Sequence, residues 1–230
     1  MKSHYFLALT LANMGRIAEA LEALNHAIEM ARRNGAVSWL SKVPNCLGWI
    51  HRELQDFEGA LAFDRDGDET SHHLGVGGRG QFDCQPGHDQ LCAGDKEGLL
   101  SAMKSVESIL SGEAWFRWRF EIRLQAVRAE HTLSRSEASS LLGKATRCRV
   151  RKYMVVGHTL LARIALAEDD AATAEAQLDA ATGILRDFPA PLAAWKTYAM
   201  LGRLQAQARP PRSGSRHVHR SCFDHPLYRR

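Results

Sequence analysis

Several short stretches of this chain have the residue types that chemistry needs, and each can be tested against its context. Gly75-Val76-Gly77-Gly78-Arg79-Gly80 fits G-x-G-x-x-G, in which glycines let backbone N–H groups approach a pyrophosphate. That loop needs a buried strand before it and a helix after it. Here Thr70-Ser71-His72-His73-Leu74 precedes it and a polar stretch comes after, so the segment reads as a plain loop. His72, His73, Cys84, His88 and Cys92 are zinc-ligand types. Zinc sites use tight pairs such as C-x2-4-C joined to a second pair. Only His88-x3-Cys92 and the adjacent histidines approach that spacing, so no metal site is expected. Asp64, Asp66 and Asp68 open like a calcium loop, but Glu69 stands where its glycine belongs and the closing glutamate is missing. They are expected on a helix surface.

Two further clusters carry charge. Trp115, Phe116, Arg117, Trp118, Arg119 and Phe120 interleave aromatic and basic residues, as single-strand nucleic-acid platforms do. At helical spacing Trp115 and Trp118 share a face with Ile122. That predicts core packing with arginines lying over apolar surface. Arg147, Arg149, Arg151 and Lys152 are expected at a helix C-terminus, where cations suit the dipole. No Ser/His/Asp or Cys/His set is assembled by spacing. The sequence therefore predicts no catalytic residue, no cofactor and no metal, and a protein that is not an enzyme.

Composition narrows the class further. The net charge is +4, and six arginines lie after Ala208, so no basic nucleic-acid surface is implied and no nucleic-acid partner is expected. No apolar run approaches membrane-spanning length, so no membrane partner is expected. Met1-Lys2-Ser3-His4-Tyr5 leads into an amphipathic pattern and not into a signal peptide. Cys46, Cys84, Cys92, Cys148 and Cys222 are scattered without a C-x-x-C. That fits a reducing compartment, and the expected location is the cytoplasm.

The elements behind these residues are helices. Leu7, Leu11 and Met14 form one apolar face. Gly15 allows a turn, and Ile17, Ala20, Leu21, Leu24 and Ile28 form a second face. Asn34-Gly35 closes that helix as a left-handed cap. A second unit begins near Trp39, with Pro44 placed near its helix start. It carries Leu47, Ile50 and Leu54, hinges at Gln55-Asp56 and resumes with Phe57, Ala60 and Leu61. The pattern fails from 70 to 90. It returns with Leu99, Met103, Val106, Ile109 and Leu110. Ile122, Ala126 and Ala129 continue a fourth unit, in which Ser136 is placed to cap a helix carrying Leu141, Leu142 and Ala145. A fifth runs from Val155 to Leu166, turns at Glu168-Asp169-Asp170 and returns through Ala174, Leu178, Ala181 and Leu185. Pro189 and Pro191 stop it, and a last helix spans 192–208. Residues 209–230, rich in Arg, His, Ser and Pro, read as a disordered basic tail. Patterning stops abruptly at 74–86 and at 209–230, as a shifted reading frame would leave it.

Ala20, Ala60, Leu99, Leu141 and Ala174 open the second helix of each unit, at spacings of 40, 39, 42 and 33. Helix pairs repeating at such intervals indicate a solenoid. The residues resemble the tetratricopeptide repeat: Leu7-Ala8, Gly15, Ala20, Leu24 and Ala27 in the first unit; Leu47-Gly48, Phe57, Ala60 and Phe63 in the second, with Gln55 where the turn glycine is expected; Leu161-Ala162, Ala174, Leu178 and Ala181 in the fifth; Leu201-Gly202 in the last helix. The resemblance covers 3–208 apart from 70–90. Its implied fold is an all-α solenoid of antiparallel hairpins, a right-handed superhelix, over 1–208. The long spacings and the run from Trp115 to Phe120 are similar to C-terminal arrays of large bacterial signalling proteins carrying NTPase, nucleotidyl cyclase or kinase modules.

The resemblance implies a protein–protein interaction scaffold. The first helices of the hairpins would line a concave face that holds a peptide or partner helix. By the family's geometry, Tyr5, Leu9, Asn13, Asn45, Trp49, Arg52, Thr159 and Arg163 would be offered there. The alternative is a regulatory segment detached from a nucleotidyl cyclase or signalling ATPase. The helix over 192–208 lacks a partner helix in sequence, which suggests a homodimer through it.

Overall fold

The computed structural model describes residues 1–73 and 117–208, and residues 97, 98, 100, 101, 103, 104 and 107 between them. The 75–80 glycine loop, the cysteines and His88 of the 84–92 stretch, Trp115 and the 209–230 tail lie outside the described residues. Among the described residues the fold is all-α, without a strand. The helices are α1 (Lys2–Asn13), α2 (Ile17–Arg33), α3 (Val37–Glu53), α4 (Phe57–His73), α5 (Arg117–Thr132), α6 (Arg135–Arg147), α7 (Arg151–Ala167), α8 (Ala171–Asp187) and α9 (Pro191–Ala208). Contacts divide the chain into two units. The first contains α1 to α4, α5 as far as Val127, and 190–192; the second contains the rest.

Five of the seven described junctions are built the same way. Gly15, Gly35, Gln55, Arg149 and Asp169 all have left-handed φ values, between 55° and 79°. The residue after each sends its N–H back to the carbonyl five positions earlier: Arg16 to Leu11, Ala36 to Ala31, Asp56 to His51, Val150 to Ala145, Asp170 to Ala165, at 2.8–3.0 Å. This is the Schellman motif, which satisfies carbonyls a helix end would otherwise leave open. Leu133 (φ 48°) closes α5 without that long bond, and Phe188 (φ −138°) ends α8 outside the left-handed region. The glycine turns at 15 and 35 were legible in sequence. The turns at Gln55-Asp56 and Glu168-Asp169-Asp170 were legible too, but not their left-handed geometry, and the turn at Arg149 was not foreseen.

In the first unit α1 pairs with α2, α3 with α4, α2 with α3, and α1 also touches α3. Its core is Ala8, Leu11, Ala12, Ala20, Ala23, Leu24, Ala27, Val43, Cys46, Leu47 and Ile50. Small residues set the closest approaches. A Cβ on Gly48 would stand 2.4 Å from an Asp64 carboxylate oxygen and 3.0 Å from the Ala60 carbonyl, so α3 and α4 meet nearly backbone to backbone there. In the second unit α7 packs on α6 and α8. A Cβ on Gly157 would meet Leu142 at 3.1 Å. Ala162, Ala165, Ala174 and Leu178 form a cluster that Met200, Leu201 and Leu204 of α9 cover.

Several expectations are corrected. Leu7, Met14 and Leu54 are exposed; Ala8, Leu11 and Ala12 carry the burial of α1, because alanine suits a close helix–helix approach. Pro44 is not near a helix start but the eighth residue of α3. It cannot donate to the Leu40 carbonyl, a loss the surrounding packing must offset. Ser134 holds the N-cap position of α6 and bonds Ser136, whose side chain caps nothing there. Pro191 opens α9, at the position where a missing N–H is harmless. The helical pattern runs through 70–73 to the end of α4.

Gln55→Gly should raise stability by about 1 kcal/mol, because a side-chain-bearing residue is strained in the left-handed region. Gly48→Ala should lower it by about 1–3 kcal/mol through overpacking against Asp64 and Ala60. Urea unfolding followed by circular dichroism measures both.

Candidate functional site

The residues expected on an inner face fall into rows set by the turns. Gly15 and Gln55 occupy equivalent turns, so residue n of α1 matches n plus 40 of α3. Tyr5 then matches Asn45, and Leu9 matches Trp49. Because α1 touches α3, these rows lie on neighbouring helices of one unit.

The structure places them at different depths. Tyr5 is half-buried and meets the Trp39 ring edge-on at 5.3 Å. Burial, and secondarily Cys46, pushes its hydroxyl up to about 12, so it stays protonated. Leu9 is half-buried against the core. Asn13 is exposed, and its amide donates to the Leu9 carbonyl at 2.7 Å. Asn45 and Arg52 are only 1% and 8% exposed, so they form polar depth beneath the surface and do not project from it. Trp49 is partly exposed, its indole N–H donating to Glu53 at 3.2 Å. Trp39 joins this face although the family geometry did not assign it there. Lys42 Nζ sits 5.3 Å from its ring centroid. The available signal was Trp39 falling one helical turn before Lys42 and Val43.

In the second unit, Thr159 bonds the Thr197 hydroxyl at 2.9 Å and the Val155 carbonyl at 2.8 Å. It ties α7 to α9. Arg163 is half-buried on the same helix. The last helix is not bare: Met200, Leu201 and Leu204 lie on its own unit, and Tyr198 is its exposed large side chain.

The other candidate chemistries resolve in part. Among the described residues no three of His, Cys, Asp and Glu converge as metal ligands. Asp64 and Asp66 lie within continuous helix α4, which cannot wrap an ion, and Asp64 is buried at 2% exposure, not on the surface as expected. Burial pushes the Cys46 thiol up to about 12, which keeps it a protonated packing residue. Of the basic cluster, Arg147 ends α6, Arg149 is the left-handed turn residue, and Arg151 and Lys152 open α7. It therefore straddles a turn instead of crowding one C-terminus. Arg151 lies over the Phe188 ring at 5.6 Å. No helix among the described residues is long and apolar enough to cross a membrane.

The C-terminal end of α3 is held by Asp56. One carboxylate oxygen takes the Gly59 N–H at 3.0 Å, capping α4, and the other bonds His51 Nδ1 at 2.8 Å. The His51 bond first, then the Gly59 bond, holds this carboxyl below its ordinary value. Asp170 caps α8 in the same way through the Thr173 N–H at 3.0 Å.

Residues 2–34 match the tetratricopeptide repeat. No match was found among curated proteins or among solved structures. The matched segment is the α1–α2 hairpin, and the helices around it form an array of the same kind. The chain thus carries a tetratricopeptide repeat within a tetratricopeptide-like α-solenoid, and such repeats are protein–protein interaction modules.

Asp56→Ala should cost about 1 kcal/mol at neutral pH by loss of the cap. A folded-state value below the unfolded one gives stability that is present above about pH 4 and lost as pH falls through the lowered value. The difference between wild type and variant should therefore vanish in strong acid, as urea unfolding across pH would record.

Proposed function

We propose that the chain is a scaffold that binds an extended peptide or a partner helix along the shared face of α1 and α3, working in the cytoplasm. The single observation behind this reading is the aromatic and polar grouping there. Tyr5 of α1 meets Trp39 of α3 edge-on, Leu9 and Trp49 pack against the same core, and Asn45 and Arg52 are buried in α3; Asn13, exposed on α1, belongs to the same proposal. Rigid aromatic surface over polar depth suits recognition, because large rings bury much area at small entropic cost. Thr159 and Arg163 hold the corresponding positions on α7 and belong to the same proposal for the second unit.

The partly exposed rings are the expected anchors. Trp49→Ala with Leu9→Ala should weaken partner retention in a pull-down at least about tenfold, a size typical of anchor residues. Thermal unfolding should move much less than a core truncation would move it. Unchanged retention by a folded double variant would reject this face.

A further inference from the structure

The second unit separates its charges. Because α6 turns back into α7 and α7 into α8, the C-terminus of α6, the N-terminus of α7 and the C-terminus of α8 lie at one end of that unit. Arg151 of α7 meets Phe188, the residue after α8, at 5.6 Å, as this topology requires. Residues 144–152 and 185–188 give this end Lys144, Arg147, Arg149, Arg151, Lys152 and Arg186, against Asp187 alone. The opposite end, 133–137 and 167–171, has Glu137, Glu168, Asp169 and Asp170 against Arg135.

Helix electrostatics accounts for only part of the basic end. Arg147 and Arg186 stand in the last turns of α6 and α8, where cations suit the dipole. Arg151 and Lys152 stand in the first turn of α7, where the dipole disfavours cations and no acidic residue accompanies them. Ion pairing does not account for the rest. Arg16, Arg33 and Arg135 have carboxylate partners in Glu19, Glu29 and Glu168. Among the described residues, Arg147, Arg149, Arg151 and Arg186 have none, and all four are exposed. Their mutual repulsion is left for a bound anion to relieve.

Dimensions and surroundings select the kind of anion. Three neighbouring helices with axes about 8–10 Å apart make a patch roughly 20 Å across. An extended peptide of about six residues spans that distance. A long polyanion continuing along α8 would meet the exposed Glu175 and Asp179. Carboxylates suit guanidinium groups, whose parallel N–H donors match their two oxygens. The Phe188 ring already holds the Arg151 guanidinium, so less freedom is lost on binding.

We propose that this end of the second unit, around the α6–α7 turn, binds a short acidic segment of a protein partner, with Arg147, Arg149, Arg151 and Arg186 pairing its carboxylates. The site shares no residue with the α1–α3 face and stands or falls independently of it. Its attraction is between exposed charges and so weakens as salt rises.

Fluorescence anisotropy of a labelled peptide of about six glutamates, titrated with the full chain, tests this. The expected result is saturable binding that a glutamine peptide of equal length lacks and that falls between about 50 mM and about 500 mM salt. Arg149→Glu with Arg151→Glu should weaken binding at least about tenfold. Tm should hold in that variant, because glutamate suits the first turn of α7. Arg32→Glu with Arg65→Glu, at exposed positions of α2 and α4, makes the same change of net charge and should leave binding nearly unchanged. Equal binding of the glutamine peptide, retention by the folded Arg149/Arg151 variant, an equal loss in the Arg32/Arg65 variant, or tighter binding of a single-stranded oligonucleotide of the same charge or of anionic lipid vesicles would each overturn the proposal.

Discussion

The fold depends on one backbone device. A residue enters the left-handed region, and the next N–H reaches back to a carbonyl five positions earlier. That bond ends a helix, satisfies its last carbonyls and reverses the chain within three residues. Gly15, Gly35 and Gln55 do this at intervals of 20. Because α2, α3 and α4 are helices of 17 residues set at the same interval, each apolar stripe reaches its neighbour in the same rotational register. The core is then a consequence of turn spacing. Had the turns drifted by one residue, the alanines at 20, 23 and 27 would have rotated away from α3.

This device also explains the distribution of small residues. Helices reversed so tightly must approach closely somewhere, and they do so at Gly48 over Ala60 and at Gly157 over Leu142. Larger side chains such as Leu24, Ile50, Leu141 and Leu178 fill the space beside these contacts. The polar interior obeys the same logic. Asp64 lies against the missing side chain of Gly48, and Arg52 is buried one helical turn further along α3. A repeat that leaves room by omitting a side chain can lodge a polar group there.

Much of the architecture was legible in the sequence because it rests on periodicity and on glycine. Gly15, Gly35 and the Asp169-Asp170 turn identified themselves, and Asp170 caps α8 as its position suggested. Burial direction was less legible. Leu7, Leu11 and Met14 make an apolar stripe, but the helix turns Ala8 and Ala12 inward. A periodicity argument weighted by side-chain size cannot see burial carried by alanine. Pro44 was misplaced because proline propensity favours helix starts, whereas the 20-residue spacing fixes the start at Val37. The residues expected on an inner face were chosen by family geometry alone. Nothing in the sequence signalled that Asn45 and Arg52 would be buried.

The short helix α6 shows how such a chain accommodates changes in length. Arg149 lies 16 residues after Leu133, one helical turn less than the interval of 20 in the first unit. Removing four residues rotates the downstream helix by only about 40°, whereas removing one rotates it by about 100°. Insertions and deletions inside these helices should therefore survive selection in steps of whole turns, and single-residue changes should be confined to the connections. The repeat length is consequently elastic in quanta, and a search for a fixed period will undercount its members.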